Sequence, residues 1–132
     1  MPIEYYIDHE RKRIIATASG ALSESDLFEY QKAAWSNLSL TDYDEIFDVT
    51  QVDNIQDITS ASLRQLSRYA ASMDKAEKTT RLAIVASKSL FYGLARMYET
   101  FRGSINHTLK EISVFRFIED AEQWLDMKNK SL

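Results

Sequence analysis

The chain opens on a strict alternation of apolar and polar positions and then changes period several times. Ile3, Tyr5 and Ile7 fall on one side of residues 3–8, and Glu4, Tyr6 and Asp8 on the other. That two-residue period predicts a half-buried strand. Residues 13–19 repeat it, with Ile14, Ala16 and Ala18 against Ile15, Thr17 and Ser19. The polar link between them is short, so the two strands form an antiparallel hairpin. Gly20 is expected to end the second strand.

The period then lengthens. Ser23 with Asp26 three residues on has the spacing of a capping box. Leu27, Gln31, Ala34, Trp35 and Leu38 follow at helical spacing, with Gln31 the polar intruder. "EIFDVTQV" predicts a third strand, with Ile46 and Asp48 on one face and Phe47 and Val49 on the other. A second helix covers about 60–74, with Leu63, Leu66, Ala70 and Met73 inward and Arg64 and Arg68 outward. "RLAIVA" is apolar on both faces, which places it inside a sheet with helices above and below.

"LFYGLARMYETFRG" predicts a third helix, with Leu90, Leu94, Met97, Tyr98 and Phe101 as its core stripe and Gly103 as its stop. A helical glycine costs about 1 kcal/mol against alanine, so Gly93 suggests close packing or a ligand near the backbone. "EISVFRF" is the last strand. The final helix turns Ala121, Trp124 and Leu125 inward and sets Lys128 and Lys130 near its C-terminus. The order β-β-α-β-α-β-α-β-α defines one α/β domain over residues 1–132. Its mixed five-stranded sheet is flanked by about four helices, with parallel crossovers and the hairpin at or near one edge.

Composition narrows the function. Sixteen Lys and Arg against 20 Asp and Glu give a net charge of −4, with no basic cluster dense enough to follow a phosphate backbone. Nucleic acid is therefore disfavoured as a partner. "RKR" at 11–13 reads as solvated charge in the hairpin turn. The absence of Cys rules out disulfides, thiol catalysis and Cys-based zinc sites. No apolar run approaches a transmembrane length, the first residues do not resemble a signal peptide, and a cytoplasmic protein is expected.

The stretches "IATASGALSESDL", "EIFDVTQV", "RLAIVASKSLFYGLARMYE" and "VFRFIEDAEQWL" give the chain a resemblance to the STAS domain, the fold of the anti-sigma-factor antagonist SpoIIAA. It resembles more closely the small stand-alone bacterial proteins grouped as SpoIIAA-like or STAS/SEC14-like. The resemblance covers nearly the whole chain. It implies a regulatory module in which a serine at a helix start, following an Asp in an Asp-Ser-Ser/Ala-Gly pattern, is phosphorylated by a partner kinase. The corresponding loop here is Asp57-Ile58-Thr59-Ser60-Ala61-Ser62. Ile58 stands in the serine position and no Gly follows, which moves the candidate phosphorylation sites to Thr59 and Ser60.

The residues themselves offer several candidate sites. Asp57, Thr59 or Ser60 can cap the second helix, and capping accounts for a hydroxyl there without modification. Ser87, Lys88 and Ser89 lie at the carboxyl end of a parallel strand, where they form either an anion cradle or a capped helix with a solvated lysine. Tyr92, Arg96 and Glu99 make a polar stripe, read as a surface ion pair or a binding face. Asp48 reads as a turn acceptor, and His9 and His107 as solvated. No Ser–His–Asp arrangement, metal cluster or cofactor motif is visible.

The leading expectation is a non-enzymatic regulatory or protein-interaction module, acting through the starts of the second and third helices, with homodimerisation as an option. The alternative is a domain that binds a small anion, nucleotide or lipid in a pocket at those helix starts.

Overall fold

The computed structural model describes residues 2–74, 79–105 and 110–130, excluding the side chains of Leu38 and of 128–130. Along the chain run β1 (Ile3–Asp8), β2 (Arg13–Ser23), α1 (Glu24–Trp35), a short 3-10 turn (Leu38–Leu40) and β3 (Asp44–Gln56). Then follow α2 (Ser60–Ser72), β4 (Thr80–Val85), α3 (Ser89–Gly103), β5 (Lys110–Phe115) and α4 (Ile118–Lys130). The five strands form one sheet in the order β1-β2-β3-β4-β5. The β1–β2 pair is antiparallel and the other three pairs are parallel. The mixed sheet and the hairpin at one edge match the sequence expectation.

Because the parallel strands lie side by side in chain order, crossovers of one hand carry every intervening helix to the same face. The helices α1, α2 and α3 pack there, over the cross-strand rows Ile14–Glu45–Leu82–Ile112 and Ala16–Phe47–Ile84–Val114. The other face carries Ile46, Ala83 and Val85, covered by Ala121 and Leu125 of α4. Central strand β4 is thus buried on both faces, as its unbroken apolar run predicts.

Local signals set the helix starts. Ser23 and Asp26 form the predicted capping box of α1: the Asp26 N–H donates to Ser23 Oγ, and the Ser23 N–H donates to Asp26 Oδ2. Asp48 Oδ1 accepts from the Thr50 N–H at 2.8 Å, in keeping with its expected role as a local acceptor.

Several expectations are corrected. Gly20 does not end a strand: it lies within β2 at φ +68°, beside a register shift against β3. That left-handed backbone suits glycine, and it lets β2 bend and continue to Ser23. In α3 Tyr98 is buried and Leu94, Met97 and Phe101 pack against the core as expected, but Leu90 stands 62% exposed and Phe91, Ala95 and Arg102 are the further buried positions. Gly93 is exposed, and a Cβ there would meet nothing within 4 Å. It therefore does not mark close packing of another element against the helix.

Arg13, read as solvated, is 1% exposed and pairs with Asp126 of α4 at 2.5 Å, tying the helix to β2. His9 is engaged rather than merely solvated, its Nδ1 lying 2.8 Å from the Tyr43 hydroxyl. His107 lies outside the described residues, as do the side chains of Lys128 and Lys130.

Replacing Gly93 by Ala should raise unfolding free energy by about 0.5–1 kcal/mol, since the helical penalty of glycine is relieved in open space. Urea denaturation of the variant measures this. A loss of stability would show that the glycine serves a packing role.

Candidate functional site

The rim at the carboxyl ends of β2, β3 and β4 collects the starts of α1, α2 and α3. Thr59 is the N-cap of α2: the Ser62 N–H donates to Thr59 Oγ1 at 3.2 Å, and the Thr59 N–H donates to Ser62 Oγ at 2.6 Å. Ser62 is buried, whereas Thr59 and Ser60 are exposed. Asp57 does not cap α2 but turns the chain at φ +62°. Two hydroxyls of the Ser/Thr cluster are thus occupied in a reciprocal cap worth about 1 kcal/mol.

At the start of α3, Lys88 occupies the N-cap position and no side chain caps the helix. A hydroxyl-capped helix was one reading of this stretch, but neither Ser87 nor Ser89 fills that role. Lys88 is exposed, yet its ammonium is also engaged. Its Nζ donates to the Val52 carbonyl at 2.8 Å and sits 5.7 Å from the Phe91 ring centre, pinning the outer part of β3 to α3. The Ser87 carbonyl accepts from Arg116, whose guanidinium stacks on Tyr92 at 4.2 Å. Arg96 pairs with Glu99 at 3.4 Å on the outer face of α3.

Beneath this rim, α1, α2, α3 and the sheet enclose a partly open cleft of about 110 Å³. Leu27 of α1, Leu63 and Leu66 of α2, and Phe91 and Leu94 of α3 form its helical walls. Phe47 and Ile84 supply the sheet side. Val52 and Ile55, from the stretch of β3 that runs beyond its pairing with β4, add an outer wall. Of the polar candidates nominated from the sequence, Thr59, Ser60, Ser87, Lys88, Ser89, Tyr92 and Arg96, none lines this cleft. They lie around the helix starts and along α3, while apolar neighbours such as Leu63 and Phe91 form the interior wall.

The cleft also contains buried polar groups. Glu45 is 4% exposed, and the Tyr30 hydroxyl donates to its Oε2 at 2.5 Å. Gln31 and Tyr98 lie alongside. Burial above all, with the Glu45 carboxylate next to it, pushes the Tyr30 phenol well above its ordinary value. Tyr98 is raised too, again chiefly by burial.

Glu45, Gln31, Leu82 and Tyr98 also border a smaller polar hollow with Lys110, Arg102 and Asp74. Arg102 is bound by Asp74 through two hydrogen bonds of 2.9 and 3.1 Å. Burial opposes its charge, but Tyr98 and Asp74 outweigh burial and hold its pKa above the ordinary value. Burial lowers the pKa of the Lys110 ammonium, although Glu45 and Asp74 pull the other way. Lys110 lies 4.4 Å from the centre of the Trp35 ring.

Sequence reasoning passed over Glu45 and Tyr30. The signal was present: alternation from Phe47 and Val49 places Glu45 on the same apolar face, and Gln31 interrupts an apolar helical stripe. An acid on a buried row is a functional candidate that charge counting alone does not reveal.

No family model matches the chain, and no curated protein does. Among solved structures it is similar to an uncharacterised protein of the DUF3478 family with a SpoIIAA-like fold from Shewanella loihica PV-4. The two share 20% identity over 93% of each chain, with a TM-score of 0.60. That likeness shows the fold: the chain is a SpoIIAA-like α/β domain. No described helix is long and apolar enough to cross a membrane.

Two outcomes follow from this geometry. Thr59→Ala should cost about 1 kcal/mol through loss of the cap, while Ser60→Ala should stay within about 0.5 kcal/mol; chemical denaturation of both variants separates them. Raised phenol pKa values in the folded state mean that the unfolded chain loses these protons first. Stability should therefore be fully present below about pH 10 and fall as pH rises further. Phenolate absorbance from Tyr30 and Tyr98 should appear only with unfolding, and a native-state titration of all seven tyrosines would contradict the burial argument.

Proposed function

We propose that this SpoIIAA-like domain is a non-enzymatic binding module that takes up a small, predominantly apolar molecule in the cleft beneath the starts of α2 and α3. The observation that carries this reading is the cleft itself, about 110 Å³ of space walled by side chains such as Leu63, Leu66, Phe91 and Leu94. Protein interiors normally close such spaces. Apolar walls left without packing partners forgo dispersion contacts that a folded interior normally makes. An apolar ligand restores those contacts.

The size sets the ligand scale. An engineered apolar cavity of about 150 Å³ in an unrelated protein accommodates benzene, which sets a single ring or a short branched chain as the ligand scale for a partly open cleft of about 110 Å³. A nucleotide does not suit walls of this character. The apolar body of a lipid-like molecule suits them better than an anion or a nucleotide does.

The regulatory or protein-interaction reading has its own support. Leu90, at the start of α3, and Phe117, just before α4, are large apolar side chains 62% and 63% exposed. Under that reading a protein partner meets the rim, next to the cleft rather than inside it.

Saturating toluene should raise the thermal unfolding midpoint, as any ligand selective for the folded state does. Ala95 also borders the cleft. Ala95→Leu should add about 0.5–2 kcal/mol of stability by filling space and should abolish the toluene effect. Absence of any midpoint rise, together with unshifted methyl resonances of Leu63 and Leu66, would defeat the cleft reading and leave the rim as the working surface.

A further inference from the structure

Resting on the cleft reading, we infer that the ligand carries a hydrogen-bond donor, a hydroxyl, at one end of its apolar body, and that Glu45 receives it. The cleft is not apolar throughout. In the cross-strand row Ile14–Glu45–Leu82–Ile112, three aliphatic residues flank one carboxylate, which faces the helices and borders the cleft. Burying a carboxylate is costly unless donors surround it. Among the described residues Glu45 receives one hydrogen bond, from Tyr30 to Oε2. With Oε2 engaged, Oε1 is the oxygen assigned to a ligand's donor, on a side chain that borders the cleft as well as the polar hollow.

Several features favour a neutral donor over other head groups. A ligand carboxylate would meet Glu45 as a like charge within a poorly solvated space. An ammonium would lose most of its hydration on entry, a heavier cost than a hydroxyl bears. Arg102 and Lys110 already supply positive charge to the surroundings of Glu45 through the adjoining hollow. A hydroxyl donating to a carboxylate makes one of the stronger classes of hydrogen bond. The arrangement thus separates two tasks: the aliphatic and aromatic walls take the ligand body, and Glu45, held by Tyr30, reads its end group.

Toluene and phenol test this directly, since they match in size and differ by a methyl against a hydroxyl; benzoate supplies the acid. Affinities for the intact chain are measured by titration of side-chain methyl resonances. Phenol should bind at least as tightly as toluene, despite the dehydration of its hydroxyl, and benzoate at least tenfold more weakly than phenol. Glu45→Gln should weaken phenol about tenfold while leaving toluene within twofold.

Tyr30→Phe offers a second route that does not depend on the folding of the first variant. It frees Oε2, and phenol should tighten several-fold with toluene unchanged. Toluene binding with phenol tenfold weaker, or an equal response of both probes to either substitution, overturns the assignment of Glu45 while leaving the cleft reading intact. Failure of toluene itself to bind overturns both.

Discussion

The arrangement of this domain depends on one topological constraint. Four parallel strands lie in chain order, so each crossover returns to the same side and α1, α2 and α3 share one face of the sheet. All three helices then begin at the same rim, and their inner faces converge over β3 and β4. The opposite face would be left bare without α4. That final helix closes it with Ala121 and Leu125, and polar ties fasten it: Arg13 reaches Asp126, and Arg81 reaches the Trp124 carbonyl. The sidedness of the helices creates both the candidate cleft and the need for a C-terminal cover.

The polar groups inside the helical layer have a different character from those at the rim. Glu45, Tyr30, Tyr98, Arg102 and Asp74 are spread over β3, α1, α3 and the segment after α2, and they meet beneath the apolar walls. Buried ion pairs such as Arg102–Asp74 add little net stability compared with well-packed apolar residues, but removing one partner is severe. Their presence is better understood as fixing how helices sit relative to the sheet. Glu45 differs because it borders space that a ligand can enter.

At the rim, by contrast, hydrogen-bonding capacity is largely spent within the chain. Thr59 and Ser62 satisfy each other across the first turn of α2, Lys88 holds the Val52 carbonyl, and Arg116 holds the Ser87 carbonyl. These bonds hold the outer part of β3 and the strand–helix turns in place around the cleft mouth. Lys88, one of the anion-site candidates, thus also fastens β3 to the start of α3. The apolar residues beside these rim groups, Ile58, Leu63 and Phe91, line the interior.

By itself the sequence determined what is local. Period-two and helical spacing specified nine of the ten elements, leaving the short 3-10 turn unrecognised. The Ser23–Asp26 spacing marked the α1 cap, and the apolar run at 81–86 placed β4 inside the sheet. These features follow from hydrogen bonds and side-chain directions within a few residues, which a linear pattern records.

Only the tertiary structure decided the rest. It buried Arg13 of a charged triplet against a helix more than a hundred residues away, turned Leu90 of α3 outward, and left Gly93 in open space. It also left a gap between helices that share one face, with Glu45 beside it. Such outcomes depend on how closely separate elements approach, and the spacing of residues along a chain carries no measure of that distance.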